Sequence, residues 1–282
     1  MQIPTIITTV GELRALAQNW HGNGARIGLV PTMGALHAGH LSLVALARNR
    51  VDRVVVSIFV NPSQFAPHED FERYPRKLEE DHSRLASAGG TDIVFAPPLG
   101  ELYPDGFATR IEVAGPARGL EAEFRPHFFS GVATIVAKLL IAATPDIAVF
   151  GEKDYQQLLV VRRLARDLGF DTEILGAPIV RELDGLALSS RNAYLGTNER
   201  RIAGQLNRVL GQVAAEIRSG ISIDEGERSG NAALFEASFD TVDYVAIRDA
   251  ATLSQLDGPA GTMRVLAAAT IGGTRLIDNM PV

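Results

Sequence analysis

The sequence contains no cysteine, and this absence excludes disulfide bonds, thiolate metal sites and a cysteine nucleophile together. It also has no apolar run close to the ~18 residues of a membrane-spanning helix, and its first residues lack the charged start and apolar core of a secretory signal. We therefore expect a cytoplasmic protein with no membrane contact. Basic residues are in deficit, since the formal net charge is −6, and this argues against a broad nucleic-acid-binding surface.

Apolar residues, in contrast, are plentiful. They make up 46% of the 282 residues, and this length exceeds the ~100–200 residues of a typical single domain. Short β-branched runs, such as residues 54–60 and 146–150, alternate with helical patterns through residue 176. This alternation predicts an α/β fold with a doubly wound, Rossmann-like parallel sheet in residues 1–176, followed by a smaller α+β domain in residues 177–282.

Local signals predict individual elements. Thr9 and Glu12 form a capping box that opens a helix reaching Trp20, and Pro75 and Gly89 suit the start and the end of a helix over residues 74–88. The pattern also predicts strands at 92–96, 110–113 and 170–180, and a helix at 130–143. For the smaller domain it predicts helices at 198–219 and 224–237, and strands at 243–248, 264–269 and 274–279.

The stretch from Gly28 to His40 predicts a strand that breaks at Pro31, a tight loop and a helix start. Backbone N–H groups point outward at such a junction, at the positive end of the helix dipole, so it favours a phosphate or carboxylate. His37 and His40 would share one face of the helix start, where both can donate to an anion. A metal site is the alternative, but no carboxylate stands at ligand spacing beside the pair.

Further polar segments follow other predicted elements. Lys153 stands just after the strand 146–150, where a cation is unfavourable at a helix start unless an anion compensates, so we interpret it as a phosphate ligand. An ordinary helix-start lysine is the alternative. Gln157, one helical turn later, could face the cleft in which such a phosphate would bind. Gln64 follows the strand 54–60 at its carboxyl end, where ligands bind in open α/β sheets. A solvated loop glutamine would give the same pattern.

A third polar segment contains Ser189, Ser190 and Arg191. Their hydroxyl and guanidinium groups can donate to a polyphosphate, although a capped helix start would also explain the serines.

Six blocks along the chain carry a family resemblance: Pro-Thr-Met-Gly-Ala-Leu-His-Ala-Gly-His (31–40), Phe-Val-Asn-Pro-Ser-Gln-Phe (59–65), Tyr-Pro-Arg (74–76), Phe-Gly-Glu-Lys-Asp-Tyr-Gln-Gln (150–157), Ser-Ser-Arg-Asn (189–192) and Arg-Leu-Ile-Asp-Asn (275–279). With these blocks in order, the chain resembles the pantothenate synthetase family, the ATP-dependent pantoate:beta-alanine ligases. The first block also resembles the H-x-G-H signature of the wider nucleotidyl-transferring superfamily, which includes class I aminoacyl-tRNA synthetases.

The resemblance implies adenylation followed by amide formation. The pantoate carboxylate attacks the α-phosphate of MgATP, pyrophosphate leaves, and the β-alanine amine then attacks the pantoyl adenylate. It also implies a homodimer, and Mg²⁺ carried by ATP oxygens rather than by protein ligands.

The same resemblance implies roles for individual residues. His40 is the proton donor, His37 and Lys153 bind phosphates, and Gln64 and Gln157 hold pantoate. The residues implied to be catalytic are His40, His37, Lys153 and Arg191. Those implied to line the ATP site are Met33, Gly34, His37, Gly39, His40, Gly151, Glu152, Lys153, Asp154, Val180, Leu188, Ser189, Ser190 and Arg191.

Two positions depart from the family pattern. Leu188 stands where the family commonly has a methionine beside the adenine, a swap of similar volume. In the segment 125–129 the histidine is displaced by one position, so that His127 precedes Phe128 where the family has histidine.

Two other classes of function remain as alternatives. A cofactor nucleotidylyltransferase would share His37 and His40 but would not need Gln64 and Gln157. A non-catalytic nucleotide-sensing or metal-binding module would have no reason to keep three polar junctions around one cleft.

Overall fold

The computed structural model describes residues 3–66 and 69–282, so the first two residues of the predicted domain 1–176 lie outside the described chain. The chain divides into two compact units, and neither is one continuous stretch. The first comprises the chain up to Ala114, Arg125–Glu152 and Val160–Pro178; the second comprises Gly115–Phe124, Lys153–Leu159 and Ile179–Val282.

Helices and strands alternate through most of the chain. The helices are α1 (Val10–Gly22), α2 (Ala38–Arg48), α3 (Leu78–Ala88), α4 (Leu99–Leu102), α5 (Glu121–Phe124), α6 (Phe128–Ala143), α7 (Tyr155–Asp167), α8 (Thr197–Ala203), α9 (Gln205–Arg218) and α10 (Ile223–Glu236). The strands are β1 (Thr5–Ile7), β2 (Ile27–Thr32), β3 (Arg53–Ile58), β4 (Ile93–Phe95), β5 (Ile147–Gly151), β6 (Glu173–Ala177), β7 (Thr241–Asp249), β8 (Met263–Ile271) and β9 (Thr274–Pro281). Short 3₁₀ helices cover Pro62–Gln64, Glu152–Asp154 and Ser190–Tyr194.

The first unit is built on a six-stranded parallel sheet in the order β1-β4-β3-β2-β5-β6. From β2 the chain moves outward through β3 and β4, and from β5 it moves the other way to β6, so the strand order reverses between β2 and β5. Doubly wound sheets bind their ligands beyond the carboxyl ends of the strands at such a reversal. The predicted doubly wound α/β architecture is confirmed, and it places the loop after β2 at the binding edge.

The second unit contains a three-stranded antiparallel sheet in the order β7-β8-β9. Helix α9 packs on it with an apolar stripe of Leu206, Val209, Leu210, Val213 and Ile217, all buried in one core. The spacing of three and four residues puts this stripe on one face of the helix. The predicted smaller α+β unit is therefore confirmed.

The strand predicted at residues 110–113 is wrong. Ile111 and Val113 are half-buried while their neighbours are exposed, so the alternation is real, but none of the strands in the described part of the chain pairs with this segment. The backbone N–H of Ile111 instead donates to Thr134 Oγ1 of α6, at 3.0 Å. The N–H of Ile111 thus bonds to a side-chain oxygen instead of to the backbone of a neighbouring strand, which the alternation had predicted.

Two predicted helices also change. Helix α3 begins at Leu78 rather than Tyr74. The Arg76 guanidinium donates to the carbonyl of Phe71 at 2.9 Å, and this bond holds the segment before the helix as a turn. The helix predicted over 198–219 is two helices that meet at Gly204.

Strand β2 continues through Pro31 to Thr32 instead of ending at the proline. Its register with β5 covers only Gly28 and Leu29, while its register with β3 runs along the whole strand. Pro31 therefore stands where β2 has a ladder partner on one side only, and a missing N–H is tolerated at such a position.

Candidate active site

His37 and His40 form a reciprocal capping arrangement at the start of α2. His37 is the N-cap residue, and its Nδ1 accepts from the backbone N–H of Gly39 at 3.2 Å. His40 Nδ1 accepts from the backbone N–H of His37 at 3.3 Å. The two rings lie side by side, with centroids 4.1 Å apart. Both rings are thus held by the helix start itself, on one face of it.

These bonds also determine the proton positions of the two histidines. A ring nitrogen that accepts a backbone N–H bond cannot carry a proton, so the neutral tautomer of each ring has its hydrogen on Nε2. Each histidine therefore presents a donating N–H at its outer nitrogen. Two neighbouring donors beside the positive end of a helix are suited to an anionic oxygen.

The loop between β2 and α2 contains two residues in left-handed backbone conformation, Gly34 with φ 82° and Ala35 with φ 51°. Thr32 Oγ1 accepts from the Gly34 N–H at 3.2 Å and donates to the Ser57 carbonyl at 2.7 Å. Met33 is half-buried in this loop. The site residues implied before the histidines thus belong to one tight, internally bonded turn.

Gln64 is buried, with 9% of its surface exposed, so the alternative of a solvated loop glutamine is wrong. Its Oε1 accepts from Asn61 Nδ2 at 2.8 Å, and the same amide donates to the Gly131 carbonyl at 3.1 Å. Asn61 Oδ1 accepts from the Tyr103 hydroxyl at 2.8 Å. This polar cluster fixes the Gln64 side chain after β3, and sequence reasoning passed over the supporting residue Asn61.

Phe128, not His127, is the packed residue of the displaced pair. The guanidinium of Arg125 stacks over the Phe128 ring at 3.9 Å and forms hydrogen bonds to Glu69 at 2.6 and 2.8 Å. The His127 side chain is exposed and makes no capping bond to α6. The cation–π contact with Arg125 is therefore made by Phe128 and not by His127.

In the second unit, Lys153 lies in the 3₁₀ turn that follows β5 along the chain, with its Nζ 3.8 Å from Asp154 Oδ1. Its backbone carbonyl accepts from Asn279 Nδ2 of β9 at 2.9 Å. Asn279 is 2% exposed, and its Oδ1 accepts from Arg264 at 2.5 Å. The Arg264 guanidinium stacks on the Tyr155 ring at 3.8 Å. The strand β9 thus fixes the backbone that carries Lys153.

The adjacent glutamines of α7 differ in environment. Gln156 is 3% exposed and bonds to the segment 116–121, where its Oε1 accepts from the Glu121 N–H at 3.1 Å and its Nε2 donates to the Pro116 carbonyl at 2.9 Å. Gln157 is only half-buried. Gln156 therefore has a structural role, while Gln157 keeps a partly accessible amide.

Residues 180–188 form a small hairpin rather than a helix start. Leu188 N–H donates to the Val180 carbonyl at 3.0 Å, and Arg181 pairs with Ala187. Ser189 then caps the 3₁₀ helix that follows, accepting from the Arg191 N–H at 3.3 Å. Ser189 therefore caps a helix start, as the alternative reading of the serines had it. Its hydroxyl oxygen accepts in that bond, so the hydroxyl proton is not used there. Ser190 and Arg191 are half-buried in the same turn.

Strand β9 carries further ion pairs, formed by residues to which the sequence analysis assigned no role. Asp278, 3% exposed, binds Arg181 of the hairpin at 2.6 and 2.9 Å. Arg275 binds Glu121 at 2.7 and 2.8 Å. Burial alone would lower the pKa of Arg275, but Glu121 and Asp243 outweigh it and raise the pKa above the usual arginine range. The Arg-Leu-Ile-Asp-Asn block therefore anchors the hairpin, the segment 115–124 and the Lys153 turn.

The implied site residues thus form two sets. The first unit holds Met33, Gly34, His37, Gly39, His40, Gln64, Gly151 and Glu152; the second holds Lys153, Asp154, Gln157, Val180, Leu188, Ser189, Ser190 and Arg191. Across residues 3–66 and 69–282, no group of three or more histidine, aspartate and glutamate side chains is placed to hold a metal ion. None of the helices in this described part has the length and apolar character needed to cross a membrane.

Known proteins resemble this chain over nearly its whole length. The family model described as Pantoate-beta-alanine ligase matches residues 5–281. The pantothenate synthetase of Mesorhizobium japonicum is 53% identical over 282 residues, covering 100% of this chain and 99% of the relative. That of Caulobacter vibrioides is 54% identical over 285 residues, covering 100% of both.

Solved structures agree as well. The crystal structure of pantothenate synthetase from Thermus thermophilus has a TM-score of 0.91 at 48% identity and covers 98% of both chains. The pantoate-beta-alanine ligase of Francisella tularensis, complexed with beta-gamma ATP and beta-alanine, has a TM-score of 0.82 at 35% identity and covers 99% of this chain and 97% of that one.

Proposed function

The chain belongs to the pantoate-beta-alanine ligase family and condenses pantoate with β-alanine in an ATP-dependent reaction; we propose that its two sets of polar residues carry this reaction through a pantoyl adenylate. The observation that supports the proposal best is the pair of Nε2–H donors of His37 and His40. They stand where the loop after β2 meets α2, at the reversal of strand order.

Phosphoryl transfer of this kind needs positioning and charge stabilisation more than covalent chemistry. As the pantoate carboxylate attacks the α-phosphorus, negative charge grows on the non-bridging oxygens and on the leaving pyrophosphate. In this proposal His40 donates its Nε2 proton in a hydrogen bond to those oxygens, and His37 does the same one helical turn away. No side chain of the protein forms a covalent bond to the substrate.

The family resemblance implies further phosphate donors in the turn after β5 and in the turn after the hairpin. We assign Lys153 and Arg191 to the phosphates as positive charges, and the Ser189 and Ser190 hydroxyls as neutral donors. The adenine is assigned to the hairpin, beside Val180 and Leu188. From the family resemblance we also assign Mg²⁺ to the ATP oxygens, so that it enters as part of the substrate.

Pantoate is assigned to Gln64 and Gln157. Gln64 has a fixed orientation, because Asn61 donates to its Oε1, and its Nε2 group is therefore the donor it can offer to a hydroxy acid. From the family resemblance we also propose that residues 177–282 close over bound ATP and that the protein is a homodimer in the cytoplasm.

The exchange of labelled pyrophosphate into ATP, measured with pantoate present, tests the assignment. His40→Ala and Lys153→Ala should each lower this rate by ~10²–10³, as expected when a transition-state donor is lost. His21→Ala is the matched control, since His21 pairs with Asp146 at the surface of the first unit. If either site variant keeps more than half of the wild-type rate, its assigned role is wrong.

A further inference from the structure

The loop that delivers His37 needs an external support. Gly34 and Ala35 both have positive φ, and a left-handed alanine persists only where its surroundings fix it. The loop is short, since β2 ends at Thr32 and α2 begins at Ala38. Any slack in it would therefore move the capping residue His37 and its ring.

Asp81 of α3 provides that support from a buried position. Its side chain is 2% exposed. Its Oδ2 accepts from the Ala35 N–H at 2.8 Å, and its Oδ1 accepts from the Leu36 N–H at 2.7 Å. One carboxylate thus binds two successive N–H groups, directly before His37.

Gly34 is fitted to the same carboxylate. A Cβ on Gly34 would lie 2.9 Å from Asp81 Oδ2 and 3.1 Å from Ile58 Cγ2, closer than side-chain atoms pack. The loop therefore needs both the missing side chain at Gly34 and the acceptor oxygens at Asp81. A buried carboxylate that bonds to the backbone of a loop is hard to explain by packing alone, because its burial is unfavourable.

We propose that Asp81 is a positioning residue for the reaction, which holds the loop before α2 so that the Nε2 groups of His37 and His40 point at the phosphates. The inference rests on the proposed function of the two histidines. Asp81 does not touch the substrate in this scheme. It acts through Ala35 and Leu36 on the backbone of the N-cap residue.

The ionised carboxylate is the form that this role requires. Burial raises the pKa of the Asp81 carboxyl, whereas the N–H bonds from Leu36 and Ala35 and the charge of Arg84 lower it, and Glu80 raises it further. A protonated Asp81 would turn an O–H toward an N–H that needs an acceptor. As the pH falls toward this raised pKa, the support is lost.

The test compares Asp81→Asn with the matched control Glu80→Gln, an identical change at the exposed preceding residue. In pantoate-dependent pyrophosphate exchange, Asp81→Asn should lower kcat by about 30-fold, since misplacement by ~1 Å can cost ~10²-fold. Glu80→Gln should stay within about twofold of the wild type, as expected for a surface substitution. The wild-type advantage over Asp81→Asn should shrink as the pH is lowered, because the amide mimics the protonated acid.

Nitrogen-15 chemical shifts of the histidine rings give a readout that a purely structural role would not move. Asp81→Asn should shift the Nδ1 and Nε2 resonances of His37 and His40 and leave those of His21 in place. Equal rates and equal ring shifts in Asp81→Asn and Glu80→Gln would overturn the inference.

If Asp81→Asn does not fold, an acid titration of the wild type, followed by nuclear magnetic resonance, tests the inference instead. Besides the change from their own protonation, the His37 and His40 resonances should show a second inflection together with the Asp81 carboxyl signal, and the absence of that second inflection overturns the inference. A wild type without exchange activity would instead refute the proposed function, while the ring shifts would still report on the loop.

Discussion

Gly131 lies in α6, where the helix packs directly against the 3₁₀ turn that holds Gln64. Replacing it by alanine should damage both stability and substrate binding. A Cβ at Gly131 would lie 2.6 Å from the Ser63 carbonyl carbon and 2.9 Å from the Gln64 nitrogen. Both are backbone atoms, which cannot rotate away as a side chain would. The helix and the turn would therefore have to separate until ordinary contact, at 3.4 Å or more, is restored.

Three contributions determine the size of the effect. Alanine gains up to ~1 kcal/mol over glycine in a helix interior. Overpacking against the Ser63 backbone costs about 1–3 kcal/mol, and separation weakens the Asn61 bond to the Gly131 carbonyl, which contributes ~1 kcal/mol. We expect a net loss of about 1–3 kcal/mol in the free energy of unfolding. Because Gln64 moves with the turn, the KM for pantoate should rise more than the KM for ATP.

Gly211→Ala is the matched control. Gly211 also lies inside a helix, α9, but a Cβ there meets no atom within 4 Å, so this variant should gain up to ~1 kcal/mol. Urea denaturation followed by circular dichroism, with steady-state kinetics on the same samples, measures both effects. The packing argument fails if Gly131→Ala is as stable as the wild type while Gly211→Ala shows its expected gain.

Two further predictions concern the Lys153 turn and the displaced histidine. Asn279→Asp places a second oxygen against the Lys153 carbonyl, so the KM for ATP should rise about tenfold, ~1.4 kcal/mol; kinetics of the purified variant check this, and an unchanged KM would remove Asn279 from Lys153 positioning. His127→Ala should change kcat/KM for pantoate by less than about tenfold, ~1.4 kcal/mol, because the side chain is exposed and Phe128 takes the contact with Arg125. A hundredfold loss with an intact circular dichroism spectrum would show instead that the shifted histidine was recruited.

The parts of this structure that follow from short-range rules could be predicted from the sequence. Thr9 and Glu12 form the predicted capping box, because its two hydrogen bonds join residues three apart. The buried strand β3 follows from the near-continuous β-branched run of residues 54–60. His37 and His40 share a face because helical geometry puts residues three apart together.

Other features depend on residues that meet only in the fold. Asp81 binds N–H groups 45 and 46 positions away, and one acidic residue in the first turn of an ordinary helix gives no sign of this. The strand expected at residues 110–113 lacked a pairing partner, which no local pattern reports. Gln64 and Asn61 looked like loop residues because their burial is imposed by α6, more than sixty positions later.

The second unit is assembled from segments that are made at very different times during synthesis. Glu121 leaves the ribosome long before its partner Arg275, which lies 154 positions later. The Lys153 turn is likewise made well before Asn279 of β9, its partner 126 positions away. Domains generally fold as the chain emerges, starting from the N-terminus, but this unit cannot close until its last strand exists. A chain cut after Pro178 would leave Gly115–Phe124 and Lys153–Leu159 without the strands that bind them. The lysine that we assign to the phosphates is therefore the part of the machinery that a nascent or truncated chain acquires last.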